Sequence, residues 1–186
     1  MIQNRDRGLS HIKARKNRSC YGMGLGIILL DENYPGFPGD VRNPSAYPFP
    51  IQYEIAEGID IETLIYSKDK SIYLQPLQQA AKKLEKMGCR AIAAECGYFS
   101  FFQKEIAAHV KVPVFMSSLL QVSWAQQLIG PNQVVGVFLS EKSSFQPHHF
   151  ESVAIMASVQ IVLIVMILTA VKDAKPSYKM WKKGFD

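Results

Sequence analysis

Arg90-Ala-Ile-Ala-Ala-Glu-Cys-Gly-Tyr-Phe-Ser100 is the stretch on which the fold reading turns. Residues 90–95 are short, apolar and interrupted only by their charged ends, the pattern of a buried strand. Cys96 and Gly97 form the turn. A helix follows from about Tyr98 to Val110, with Phe102, Ile106 and Val110 at helical spacing on one face. Upstream, Leu77, Ala81 and Leu84 mark an amphipathic helix over 73–87, and Gly88 closes it. Downstream lie a strand over 112–116, a helix over 119–129 stopped by Gly130-Pro131, and a strand over 134–139.

Further out, Gly24-Leu-Gly-Ile-Ile-Leu-Leu30 reads as a buried strand that ends at Asp31. Residues 31–50 then carry Pro35, Pro38, Pro44, Pro48 and Pro50, so the segment reads as a loop. Residues 51–55 alternate apolar and polar like a second strand. Strand and helix thus alternate from 24 to 139, which predicts an α/β fold with a parallel sheet and helices on both faces.

The C-terminal part is read less directly. Pro147 opens a short helix whose His148 and His149 are taken as exposed residues; adjacent positions diverge by about 100°, which does not suit a shared metal ion. Residues 154–171 form an uncharged run of 18, followed by Lys172, Lys175, Lys179, Lys182 and Lys183. Ser158, Gln160 and Thr169 interrupt it, and its centre is dense in Val and Ile. A buried parallel strand over 159–166 is the reading adopted, with a membrane anchor as the alternative. Tyr178, Met180 and Trp181 are assigned to a short capping helix.

The chain has 186 residues, 48% hydrophobic and 20% charged, enough for a sizeable core. Its net charge of +5 is local. Arg5, Arg7, Lys13, Arg15, Lys16 and Arg18 stand against Asp6 alone, and the remainder is balanced. No basic groove for nucleic acid is therefore expected, and residues 1–22 read as a basic flexible leader. Cys20, Cys89 and Cys96 are too few for a disulfide framework and fit a reducing, cytoplasmic setting. Cys89 and Cys96, at opposite ends of one strand, lie too far apart to bridge. The division expected is a first α/β lobe over 23–118 carrying Cys96 and a partial second lobe over 119–186.

Cys96 sits at the carboxyl end of a strand and before a helix, the edge of an open α/β sheet where ligands bind. Free N–H groups and the helix dipole there would lower a thiol pKa, and Gly97 lets a ligand approach the backbone. The alternative is a small buried hydrophobe. Gly22-Met-Gly-Leu-Gly26 precedes its strand and is misplaced for a dinucleotide loop.

Residues 90–100, Val112-Pro-Val-Phe-Met-Ser-Ser-Leu-Leu120 and Gly26-Ile-Ile-Leu-Leu-Asp31 together resemble the aspartate/glutamate/hydantoin racemase superfamily, over roughly residues 24–155. The resemblance implies two similar lobes around a cleft and a cofactor-independent racemase or isomerase. Its substrate would be a small carboxylate such as an amino acid, hydantoin or diacid. It implies no metal and no organic cofactor. Cys96 would be the thiol acid/base, Asp31 a polar residue facing it, Gly97 and Tyr98 the turn that meets the substrate carboxylate, and Ser117 and Ser118 cleft lining. A solvated turn for Asp31 and a helix cap for the serines are the alternatives.

Two departures stand out. Gly97-Tyr98 replaces the Asn-Thr that usually follows the first cysteine of the amino-acid racemases, and no cysteine follows Cys96. A reaction that needs two thiols is then closed to Cys96 alone. A one-base reaction remains open to it, as does the role of a non-catalytic pseudoenzyme or carboxylate binder. An incomplete second lobe would leave apolar surface uncovered, so self-association, in the simplest case a homodimer, is expected.

Overall fold

A computed structural model describes residues 19–20, 22–33, 35–155 and 161–165. The basic leader up to residue 18, the lysine-rich segment 172–186 with its capping helix, and most of the uncharged 154–171 run lie outside the described residues.

Four strands make one parallel sheet: β1 (Leu25–Leu30), β2 (Ile51–Ala56), β3 (Ala91–Ala94) and β4 (Val114–Phe115), in the order β2-β1-β3-β4. Both faces of β1 are covered: Ile27 through Leu30 are all buried, which is why the strand is a continuous apolar run. Helix α2 (Leu74–Lys86) packs on β1, β2 and β3 through Leu77, Ala81 and Leu84. Burying each of the leucines contributes roughly 1.5–3 kcal/mol. Gly26 makes the approach close, since a Cβ there would stand 3.0 Å from three atoms of Leu84.

Helix α1 (Ile61–Tyr66) escaped the sequence reading. Asp60 caps it, its carboxylate accepting from the Thr63 N–H at 2.8 Å, and Leu64 and Ile65 are its buried face. The helix read over 98–110 starts as a 3-10 segment, Gly97–Phe102, and becomes α3 (Gln103–His109) only afterwards. The helix read over 119–129 likewise has a 3-10 start, Ser118–Gln121, ahead of α4 (Val122–Ile129). Gly130, at φ 81°, ends it.

A separate pair of parallel strands follows, β5 (Val135–Leu139) and β6 (Ile161–Val165), in register from Val135 opposite Ile161. The strand expected over 159–166 thus exists, and among the described residues no helix is long and apolar enough to cross a membrane. Its neighbourhood is thinly covered. Phe138 and Leu128 are each 66% exposed and Trp124 61%.

Between β5 and β6 lies α5 (Pro147–Glu151), which corrects one expectation. His148 is partly exposed, but His149 is fully buried. Its ring packs against Phe101 and Phe145, with centroids 5.1 and 4.8 Å away, and its Nδ1 accepts from the Gln146 N–H at 2.9 Å. Burial first, then the repulsion of Lys70 and His148, pushes its pKa down to about 4, although the Gln146 carbonyl, 3.2 Å from the same nitrogen, favours the charged ring. Among the described residues no group of three or more His, Cys, Asp or Glu side chains is placed to hold a metal.

Candidate active site

Beyond the carboxyl ends of β1 and β3 opens a cavity of about 380 Å³. Cys96 lies on its wall with 7% of its surface exposed, in the extended conformation that precedes the 3-10 segment. Gly97 contributes an open face, because a Cβ added there would meet only the Ser117 hydroxyl at 3.8 Å. Tyr98 is buried and ties two parts of the wall together. Its hydroxyl donates to the Glu141 carbonyl at 3.0 Å, accepts from the Glu141 N–H at 2.9 Å and lies 3.1 Å from the Ser140 hydroxyl. Burial is the main cause of its raised pKa.

Ser117 and Ser118 also line the cavity. Ser117 is at the same time the cap of the next 3-10 segment, accepting from the Leu119 N–H at 3.2 Å, so the two readings of that serine coexist.

Asp31 is displaced from the expected arrangement. It is exposed, it does not line the cavity, and its carboxylate accepts from the Gly58 N–H at 2.9 Å. Side chains alternate across a strand and its extension, so a shift of one residue changes the side on which an acid falls. The acid on the wall is the next residue, Glu32, whose Oε1 accepts from the Ile61 N–H at 2.6 Å.

Two further residues escaped the sequence reading. Glu95, beside Cys96, has a side chain only 3% exposed and is gripped by Arg42 from the proline-rich loop. The guanidinium Nε donates to Oε2 at 2.7 Å and Nη2 to Oε1 at 2.6 Å. Arg42 also donates to the carbonyls of Leu30, at 2.8 Å, and Glu32. This bidentate geometry is the strong form of an ion pair. It fastens the loop across the ends of β1 and β3. A lone arginine in a loop carries no periodicity to betray it; the nearest signal was the glutamate set between a buried strand and a cysteine.

The electrostatics reverse an expectation. Cys96 was read as a thiol with a lowered pKa, yet in the empty cavity it is pushed up to about 12. Burial is the largest cause, and the carboxylates of Glu95 and Glu32 add to it. The backbone N–H groups of Tyr98 and Phe99 work the other way and are outweighed. Lys70, the buried cation within electrostatic reach of the sulfur, is committed to the carbonyls of Leu64 and Ser67, and burial lowers its own pKa.

No family model matches the chain. A dimethylsulfoniopropionate lyase of Durusdinium sp. clade D is 32% identical over 126 residues, which is 67% of this chain and 42% of that protein. Dimethylsulfoniopropionate lyases 3 and 6 of Emiliania huxleyi are each 28% identical over 123 residues, 66% of this chain and 32% of theirs. The chain therefore spans less than half the length of these curated relatives. Among solved structures, an aspartate racemase homologue from Pyrococcus horikoshii OT3 covers 76% of this chain and 64% of its own at 15% identity and a TM-score of 0.46. The α/β frame expected from the sequence stands, with its four-stranded parallel sheet, but the expectation of a racemase or isomerase of amino-acid metabolism is overturned. The curated relatives are lyases, named for cleavage, and not racemases.

Proposed function

We propose that this chain carries the thiol-bearing part of a lyase that cleaves dimethylsulfoniopropionate or a close β-sulfonio carboxylate. What carries the reading is the likeness to the lyases over two thirds of the chain, together with Cys96 on the wall of a cavity at the sheet edge. The substrate has a dimethylsulfonium on the carbon β to a carboxylate. Cys96, as thiolate, removes a proton from the carbon next to the carboxylate. The freed electron pair becomes the carbon–carbon double bond, the carbon–sulfur bond breaks, and dimethyl sulfide leaves with its electron pair. Acrylate remains, and the thiol passes its proton to solvent.

Only one base is required. The lack of a cysteine after Cys96, an obstacle to two-base racemisation, is no obstacle to elimination. Gly97, Ser117 and Ser118, with the backbone of Tyr98, are the proposed contacts of the carboxylate end. The division into lobes at about residue 118 is part of the same reading, with the cavity between them.

The test is release of dimethyl sulfide into the headspace above the full 186-residue chain, followed by gas chromatography, with acrylate measured by NMR. Cys96→Ala should lower the rate at least about a hundredfold while keeping the fold. Folded wild-type protein that releases no dimethyl sulfide overturns the lyase reading. A non-catalytic binder is the second reading, favoured by the raised Cys96 pKa. Binding of the sulfonium compound without cleavage would select it.

A further inference from the structure

We propose that Glu32 is the specificity-determining residue of the cavity, holding the positively charged end of an onium carboxylate against an aromatic wall. The inference rests on the lyase reading, since it names which end of that substrate Glu32 takes.

Among the described residues, the charged side chains on the cavity wall are Glu32 and Glu95, and no lysine, arginine or histidine lines it. Glu95 is occupied by the bidentate contact with Arg42. Glu32 is not. One of its oxygens accepts from the Ile61 N–H, and among the described residues no hydrogen bond or ion pair reaches the other. That hydrogen bond fixes the carboxylate at the wall, so little side-chain entropy is lost when a cation arrives.

Tyr98, Phe138 and Phe145 line the same cavity. Tyr98 and Phe145 pack with ring centroids 4.8 Å apart, making one aromatic surface. An onium group with methyl substituents suits this combination. Its methyls bury apolar area, its charge is attracted to ring faces, and it needs no hydrogen bonds.

The same arrangement gives the thiol its chance. Glu32 and Glu95 both oppose ionisation of Cys96 in the empty cavity. A fixed positive charge brought against Glu32 offsets that repulsion and favours the thiolate only when substrate is present. A ligand bearing a carboxylate alone would meet the repulsion without the relief.

The experiment is a calorimetric titration of the full chain with two probes of matched shape. These are 3-(trimethylammonio)propionate, an onium carboxylate with a poor leaving group, and 4,4-dimethylpentanoate, its uncharged-tail counterpart. Wild type should bind the onium probe about tenfold more tightly. Glu32→Gln, whose amide oxygen still accepts from Ile61, should bring the ratio below about threefold. It should also speed alkylation of Cys96, because a negative charge near the sulfur is gone. Unfolding would also expose the thiol but would weaken both probes alike, so a loss confined to the onium probe, with binding of the uncharged probe kept, separates the subsite from a folding defect. Equal binding of the two probes by wild type, binding of neither, or a ratio unchanged in Glu32→Gln overturns the proposal. The two readings fail separately. Onium preference without dimethyl sulfide release sinks the lyase and leaves the subsite. Dimethyl sulfide release with the same KM in wild type and Glu32→Gln sinks the subsite and leaves the lyase.

Discussion

Cys96 in the ligand-free protein should alkylate slowly, and the structure says by how much. Its pKa rises from 9.0 to about 12. At pH 8 the fraction present as thiolate is then about a thousandfold below that of an ordinary thiol. A more basic thiolate is also a better nucleophile, which recovers roughly 15- to 30-fold. The net expectation is a rate about 30- to 60-fold below free cysteine, before the hindrance of a side chain only 7% exposed. Iodoacetamide labelling from pH 7 to 10, read by peptide mass spectrometry, is the assay. The rate should climb about tenfold per pH unit with no plateau, because every point lies below the pKa. A plateau near pH 8, or labelling as fast as free cysteine, would refute the argument that burial and the two carboxylates outweigh the Tyr98 and Phe99 N–H groups. The same shift has a sign in stability. The unfolded thiol ionises near pH 9 and the native one near 12, so stability falls as pH rises through that window, by up to about 1.4 kcal/mol per unit.

Other outcomes are expected. Arg42→Ala should cost about 3 kcal/mol in urea unfolding, since it takes the bidentate cation away from a buried carboxylate. Adding Glu95→Gln should cost less than the sum of the two single changes, and strict additivity would show that the pair is not coupled. Gly26→Ala should cost about 1–2 kcal/mol by pressing a methyl onto Leu84; a neutral effect would mean that α2 shifts freely on the sheet. Phe138→Ser should reduce self-association in light scattering at high protein concentration, and unchanged association would place the sticky surface elsewhere.

The parts of the fold legible in sequence were those with a repeating physical signal. Helix α2 announces itself through Leu77, Ala81 and Leu84, and β1 through an unbroken apolar run that only a strand buried on both faces would carry. The position of Cys96 at the end of β3 follows from the same logic. Helix α1 was missed because six residues give too little periodicity, although Asp60 three residues before Thr63 was a usable cap signal. Asp31 and Glu32 were confused because a strand's end does not say which of two adjacent acids turns inward. His149 was misplaced because a helix of five residues has no face that sequence alone can assign. The Arg42–Glu95 contact joins residues 53 apart, and nothing local in either segment records it.

That contact also orders events in time. Arg42 has no complete binding place until β1 and β3 lie side by side, since it reaches the Leu30 carbonyl at the end of one and Glu95 at the end of the other. Closing so long a loop yields nothing until the strands have paired. The proline-rich segment is therefore a late-docking piece of the molecule, clasped after the sheet exists and the first to come away when the clasp is cut. Hydrogen exchange on the described residues should find the amides of 35–47 opening well below the free energy needed to open β1, so the proline-rich loop and the sheet belong to two different units of stability.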